Sequence, residues 1–248
     1  MISHEVSRNV VTNPISIAMR QAHTSVEDVP SIASGRGDIR SRTDEAHQLL
    51  KWKILTMEIP PGTWLNERHL VESTGFTRAP IHQALHRLES DALVEIRPRK
   101  GAQVRIWTPQ DIAHLMEARI PLELTVVSLA CERAKQSELD ALTAELAKGP
   151  QLLADMDREG LVRLDHTFHQ SLAEFARNPV LGELIENVHH RSMLLWAVPL
   201  SGYQEYESVM AQHQEILGAI TKRDPALATS AMKRHLSSFV SPDHRTTL

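Results

Sequence analysis

A chain of 248 residues, 42% hydrophobic and 23% charged, has core enough for two ordinary folded domains. It contains no apolar run long enough to span a bilayer. Its start lacks the basic-then-apolar pattern of an export signal, and its single cysteine, Cys131, excludes an internal disulfide and fits a reducing cytoplasm. The net charge of −4 is unevenly spread: residues 1–107 carry 14 Lys/Arg against 12 Asp/Glu, and residues 108–248 carry 13 against 19.

Residues 1–43 are polar and aperiodic and read as a flexible extension. From Asp44 to about Met57, Ala46, Leu49, Leu50, Ile54 and Leu55 recur on one helical face, and Pro60-Pro61-Gly62 then turns the chain. Asn66 caps a second helix that runs to about Thr74, and Gly75 supplies a residue without a Cβ at its stop. Thr77 caps a third helix with Pro80 in its first turn, and Ile81, Ala84, Leu85 and Leu88 form its buried face. Leu93 to Ile96 and Ala102 to Ile106 read as a two-stranded hairpin around Pro98-Arg99-Lys100-Gly101. Three helices and a small hairpin over 44–107 are the layout of a winged helix-turn-helix, which places a helix in the DNA major groove. Arg78 lies at the N-terminal end of that helix, where base edges are met; Arg can fork onto guanine, and Gln83 can pair with adenine. Arg99 and Lys100 at the hairpin tip suit phosphate. A helical subdomain with merely solvated charges is the alternative. The cationic hairpin directly behind the third helix favours duplex DNA, with six basic residues to three acidic between 75 and 105.

Thr108-Pro109-Gln110-Asp111 starts a new domain, expected over 108–241 with a tail at 242–248. Helices are predicted at 109–134, 136–148, 150–157, 159–177, 179–197, 203–223 and 225–240, an antiparallel all-α bundle of six or seven helices. Polar groups lie on their apolar stripes. Asp165 and His169, four apart, accompany Leu161, Leu164, Phe168, Leu172 and Phe175. His213 completes a stripe of Val209, Ile216, Leu217 and Ile220; His235 lies among Ala228, Met232, Leu236 and Phe239. Burying four such groups is costly unless they satisfy one another. Three imidazoles and a carboxylate converging from three helices make a ligand set for a divalent metal, zinc first, with nickel or manganese as alternatives. The rival is that each histidine is separately hydrogen-bonded in the core. Arg119 lies on a stripe with Leu115, Leu122 and Val126, and a buried guanidinium needs an anion, which Glu123 could supply. Asn178 reads as a helix cap, Cys131 as core, and His166, His189 and His190 as solvent-facing.

Two resemblances bear on function. Ile59-Pro60-Pro61-Gly62-Thr63-Trp64-Leu65, Gly75 to Glu89 and Leu93 to Val104 resemble the DNA-binding domain of the GntR family of bacterial transcription regulators. By that resemblance Arg68, Thr77, Arg78 and His82 match DNA-contacting positions and Gly101 the wing glycine; His82 stands where members commonly carry Arg. The stretch from about Asp111 to Phe239 resembles the FCD ligand-sensing domain of the FadR-type branch, whose D-x-x-x-H, later H and final H fall on Asp165, His169, His213 and His235. The resemblance implies a small carboxylate effector, held by the metal and an arginine such as Arg119, with Arg191 as a second candidate. The expectation is a cytoplasmic, ligand-responsive regulator, a repressor and a homodimer, bound to a double-stranded operator with half-sites about 34 Å apart. Its effector signal is expected to pass through residues 105–110. The competing readings are a metal-dependent enzyme with an accessory DNA domain and a ligand-free nucleoid protein.

Overall fold

In the computed structural model, residues 41–194 and 203–238 are described. Residues 1–40 of the expected N-terminal extension, the tail, Phe239 and the break at 199–202 lie outside them, and residues 41–43 of that extension belong to the first helix and its cap.

The first helix, α1 (Arg42–Leu55), starts two residues before the sequence expectation. Ser41 caps it by accepting from the Asp44 backbone while Asp44 reaches back, a reciprocal capping box. It lays Ala46, Leu50 and Ile54, all fully buried, against α3. α2 (Glu67–Thr74) is capped by Asn66 and ends at Gly75 in the left-handed region, φ +74°. α3 (Arg78–Ser90) follows, and buries Ile81, Ala84, Leu85 and Leu88 as the periodicity requires. Thr77 occupies its N-cap position but makes no side-chain capping bond.

The hairpin β2 (Val94–Arg97) and β3 (Gly101–Val104) is joined by a strand that the sequence reading missed, β1 (Trp64–Leu65), in the order β1-β3-β2 with antiparallel pairing throughout. The cause is local. Gly62, at φ +82°, turns the chain so that its N–H donates to the Val104 carbonyl at 2.9 Å and the Thr63 carbonyl accepts from Val104 at 2.9 Å. A two-residue strand is too short to show alternation.

α4 (Pro109–Arg133) begins at a Thr108–Asp111 capping box with Pro109 at its first position. α5 (Gln136–Leu146), α6 (Gly149–Ala154), α7 (Arg158–Phe175), α8 (Pro179–Met193), α9 (Tyr203–Thr221) and α10 (Pro225–Ser238) complete the described helices. Asn178 caps α8 through the backbone N–H groups of Val180 and Leu181. α4 is the central strut, packing on α7, α8, α9 and α10. Cys131 is buried, as its apolar surroundings imply. Among the described residues no helix is long and apolar enough to cross a membrane.

A Cβ at Gly75 would meet nothing within 4 Å, so a side chain there costs only its backbone strain. Gly75→Ala should lower the unfolding free energy by about 1–2 kcal/mol in urea denaturation, and Gly75→Asn by less, because Asn tolerates the left-handed region.

Candidate DNA interface and candidate metal centre

The helix-turn-helix and the wing enclose a groove of about 750 Å³. Its apolar floor includes Leu65, Val71 and Ile96, and its rim carries Arg68, Arg78, His82 and Lys100, with Gly101 at the hairpin end. One acid, Glu67 on α2, organises that rim: Arg78 Nε donates to its Oε2 at 3.3 Å, and His82 Nδ1 lies 2.8 Å from its Oε1. The hydrogen bond from His82, offset in part by burial and aided by Arg78, holds the Glu67 carboxyl below its ordinary range. Arg68 pairs with Glu72 along α2. Gln83 accepts from Thr43 Oγ1 on α1 at 2.8 Å, so a pairing with adenine would compete with that bond. Arg99 is exposed at the wing tip with φ +64°, and Gly101 beside it has φ +93°.

In the bundle the four polar residues of the stripes come together. Asp165, His169, His213 and His235 each present a ligand atom, all within 4.8 Å of one another and all buried. Asp165 Oδ1 lies 3.5 Å from His213 Nε2 and 3.9 Å from His169 Nε2. His235 Nδ1 lies 2.8 Å from Gln212 Oε1, which fixes the ring's orientation and leaves Nε2 for the cluster. Among the described residues, neither ring nitrogen of His213, at 0% exposure, has a hydrogen-bond partner. Such an orphan costs about 1–3 kcal/mol. A divalent cation among these four donors would supply the missing partner, so the residues fit a metal.

Arg119 lies beside this cluster with every edge of its guanidinium engaged. Nε donates to Glu123 Oε1 at 3.1 Å, Nη1 to Ser192 Oγ at 2.7 Å, and Nη2 to His169 Nε2 at 3.1 Å and His189 Nδ1 at 3.0 Å. Because Arg can only donate, both imidazoles accept on those nitrogens and carry their protons on the opposite ones. For His169 that proton faces Glu123 Oε1 at 2.9 Å, although off the line of a good hydrogen bond; for His189 it faces Asp165 Oδ2 at 3.6 Å. Burial raises the Glu123 carboxyl, but the attraction of His169 and Arg119 outweighs it, and the group stays below its ordinary range. Asp165 goes the other way: burial raises it, and His169 and Arg119 recover only part. Burial pushes His213, His235 and His189 well below the ordinary imidazole value, which favours their neutral form; the acceptor nitrogen of His189 is taken by Arg119, whereas His213 and His235 do not touch it.

Four residues depart from their expected places. His189 and His190 do not face solvent; they are 1% and 6% exposed, and His166 is half-buried. His189 follows Leu181 and Ile185 at four-residue spacing, the same signal that marked His169, and periodicity could have found it. His166 and His190 are covered by the winged domain, which no helical period reveals: the two rings stack at 5.1 Å, and His166 meets Trp52 of α1 edge-on at 5.2 Å. Arg191 is not in the chamber. Its Nε donates to the backbone carbonyl of Asp91, at the end of α3, at 3.3 Å.

Residues 42–104 match the family model "Bacterial regulatory proteins, gntR family", and residues 114–238 match the FCD domain. The chain belongs to the GntR family. It is 31% identical to an HTH-type transcriptional regulator of Streptomyces ambofaciens over 79% of this chain and 83% of that one. Identity to the HTH-type transcriptional repressor NanR of Cronobacter sakazakii is 30%, covering 70% and 74%. The solved structure of E. coli McbR/YncC has the same fold, with a TM-score of 0.74 at 22% identity, over 81% of this chain and 95% of that one. These GntR and FCD relatives are transcription regulators, so the chain is a DNA-binding regulator; the enzyme reading finds no support in them.

Breaking the buried Arg119 pair leaves an uncompensated charge. Arg119→Met should cost about 3–5 kcal/mol, and the double change Arg119→Met with Glu123→Met should recover at least half of it, as read by urea denaturation. Burial, then Lys51, His166 and His47, holds His190 well below its ordinary value. A depressed imidazole contributes stability that is present above about pH 6.5 and lost as the pH falls toward the folded value, because only the unfolded chain takes up the proton. Unfolding free energy should therefore drop from pH 6.5 to 5. His190→Asn should flatten that slope by up to about 1.4 kcal/mol per pH unit.

Proposed function

We propose that this chain is a cytoplasmic, metal-containing repressor that works as a homodimer and releases its operator in response to a small carboxylate. The observation that carries the reading is the convergence of Asp165, His169, His213 and His235, with neither buried ring nitrogen of His213 hydrogen-bonded among the described residues. Those four residues would hold the cation, with zinc the best match to three imidazoles and one carboxylate. Bound there, the cation supplies Lewis-acidic positions that a carboxylate can occupy. The protein's own residues do the rest. Gln212 orients His235, and Glu123 faces the far nitrogen of His169. A cation that takes the lone pair of His169 Nε2 would displace Arg119 from it and free Nη2 to meet an effector carboxylate, so the arrangement of Arg119 differs between the two states.

On the DNA side, Arg78 and His82 are the side chains aimed at base edges, with Thr77 beside them and Gln83 available if it leaves Thr43. Arg68, Arg99, Lys100 and the Gly101 backbone suit the phosphates. Glu67 holds Arg78 and His82 in place before DNA arrives. The repressor assignment follows the NanR relative, and dimerisation supplies the second half-site that helix-turn-helix operators require.

Two substitutions test the two halves. With an operator selected from random duplexes, Arg78→Ala should cost about 1–3 kcal/mol and relax base preference at one position, whereas Lys100→Ala should weaken all sequences alike and lower the salt slope by about one. His213→Ala should lower the metal content of the purified protein well below one ion per chain. Unchanged metal content would remove His213 from the site, and unchanged base preference in Arg78→Ala would refute the groove assignment.

A further inference from the structure

The four consecutive residues His189 to Ser192 near the end of α8 serve two places at once. His189 and Ser192 are the acceptors for Arg119 inside the chamber, and Ser192 Oγ in turn donates to the His189 carbonyl at 2.7 Å. His189 also stands 3.6 Å from Asp165, a member of the candidate metal set. The two residues between them turn the other way. His190 stacks on His166, whose ring meets Trp52 of α1. Arg191 donates to the carbonyl of Asp91, the C-cap residue of α3.

That last contact has mechanical value. The carbonyls at a helix C-terminus carry the negative end of its dipole, and a cation there is favourable. α3 is the helix that carries Arg78 and His82, so Arg191 takes hold of the recognition helix by its far end. The same Asp91 is held through its carboxylate by His47 of α1, at 2.8 Å, and Lys51 of α1 approaches Glu186 of α8 at 4.0 Å. α7 repeats the pattern. Asp165 and His169 face the chamber, while Arg163 lies 4.4 Å over the Trp52 ring.

We propose that the His189–Ser192 segment of α8 couples the chamber to the DNA-binding domain, and that Arg191 is the residue that positions the recognition helix. A change in the bonds of Arg119 moves His189 and Ser192. Because these residues are one turn of a hydrogen-bonded helix, His190 and Arg191 move with them, and Arg191 carries the shift to the end of α3. The 105–110 connection is then a hinge rather than the route of the signal. This rests on the metal reading above, since it takes the chamber to have distinguishable occupied and empty arrangements. Coupling of this kind is a difference in free energy between two sites and is measured as a ratio of affinities.

The test uses the full chain, a duplex selected from random sequence, and zinc alone as the probe. Operator Kd is measured with saturating zinc and after chelation, with metal content recorded in parallel. The wild type should show a ratio between the two of about 5- to 150-fold. Arg191→Met should take up zinc as the wild type does while its ratio falls below about twofold, and Arg191→Lys, which keeps the cation, should restore part of it. A role for Arg191 confined to stability would shift the urea midpoint without changing the ratio. As a second readout, Trp52 emission in a Trp64→Phe, Trp107→Phe, Trp196→Phe background should change on zinc addition with the midpoint of metal binding. A wild-type ratio retained in Arg191→Met overturns the proposal, as does zinc uptake that leaves both operator Kd and Trp52 emission unchanged. A wild type that takes up no zinc overturns the metal reading and this inference with it.

Discussion

A guanidinium in the middle of a helical bundle is the constraint on which the rest of this structure depends. Arg119 is 4% exposed, and a cation so placed is tolerable only if it finds an anion and acceptors. The bundle supplies them from three helices: Glu123 from α4 itself, His169 from α7, and His189 and Ser192 from α8. Each acceptor is thereby fixed in rotamer and tautomer. Of the four groups that would hold a cation, His169 takes its orientation from a residue that could not itself ligate one, and His235 takes its own from Gln212. Glu123, fully buried and facing both Arg119 and His169, ties the two functions together.

The same packing joins the sensor to the DNA reader. α7 and α8 each have one face in the chamber and another against α1 and the end of α3, so no long chain of contacts is required. The wall of the chamber is the surface on which the winged domain rests. A single helical turn, His189 to Ser192, spans the distance. Glu67, the acid that pairs with Arg78 and His82, is local to the winged domain, so the rim of the groove is organised within that domain.

Much of this was legible in the residues. Caps and breakers such as Asn66, Gly75, Thr108-Pro109 and Asn178 are short-range devices, and the helices begin or end close to where they stand. Asp165, His169, His213 and His235 were visible because each breaks an apolar stripe at helical spacing. Strand β1 was not, because two residues show no period and its pairing partner lies about forty residues away. The burial of His166 and His190 was hidden for a related reason: their own helices leave them off the stripe, and a different domain covers them. Arg191 was misread on the same ground, since its charge answers a backbone carbonyl that only the tertiary structure brings near. Local chemistry is written in local sequence; contacts between domains are not.

The central claim, that the buried cluster is a cation site, is tested most directly by diffraction from crystals of the zinc-loaded protein on both sides of the zinc absorption edge. The account predicts one strong anomalous peak per chain, bounded by Asp165, His169, His213 and His235, with zinc-to-nitrogen distances near 2.0–2.1 Å. A chain that diffracts well with no peak in the chamber, or with its peak at surface residues, would contradict it.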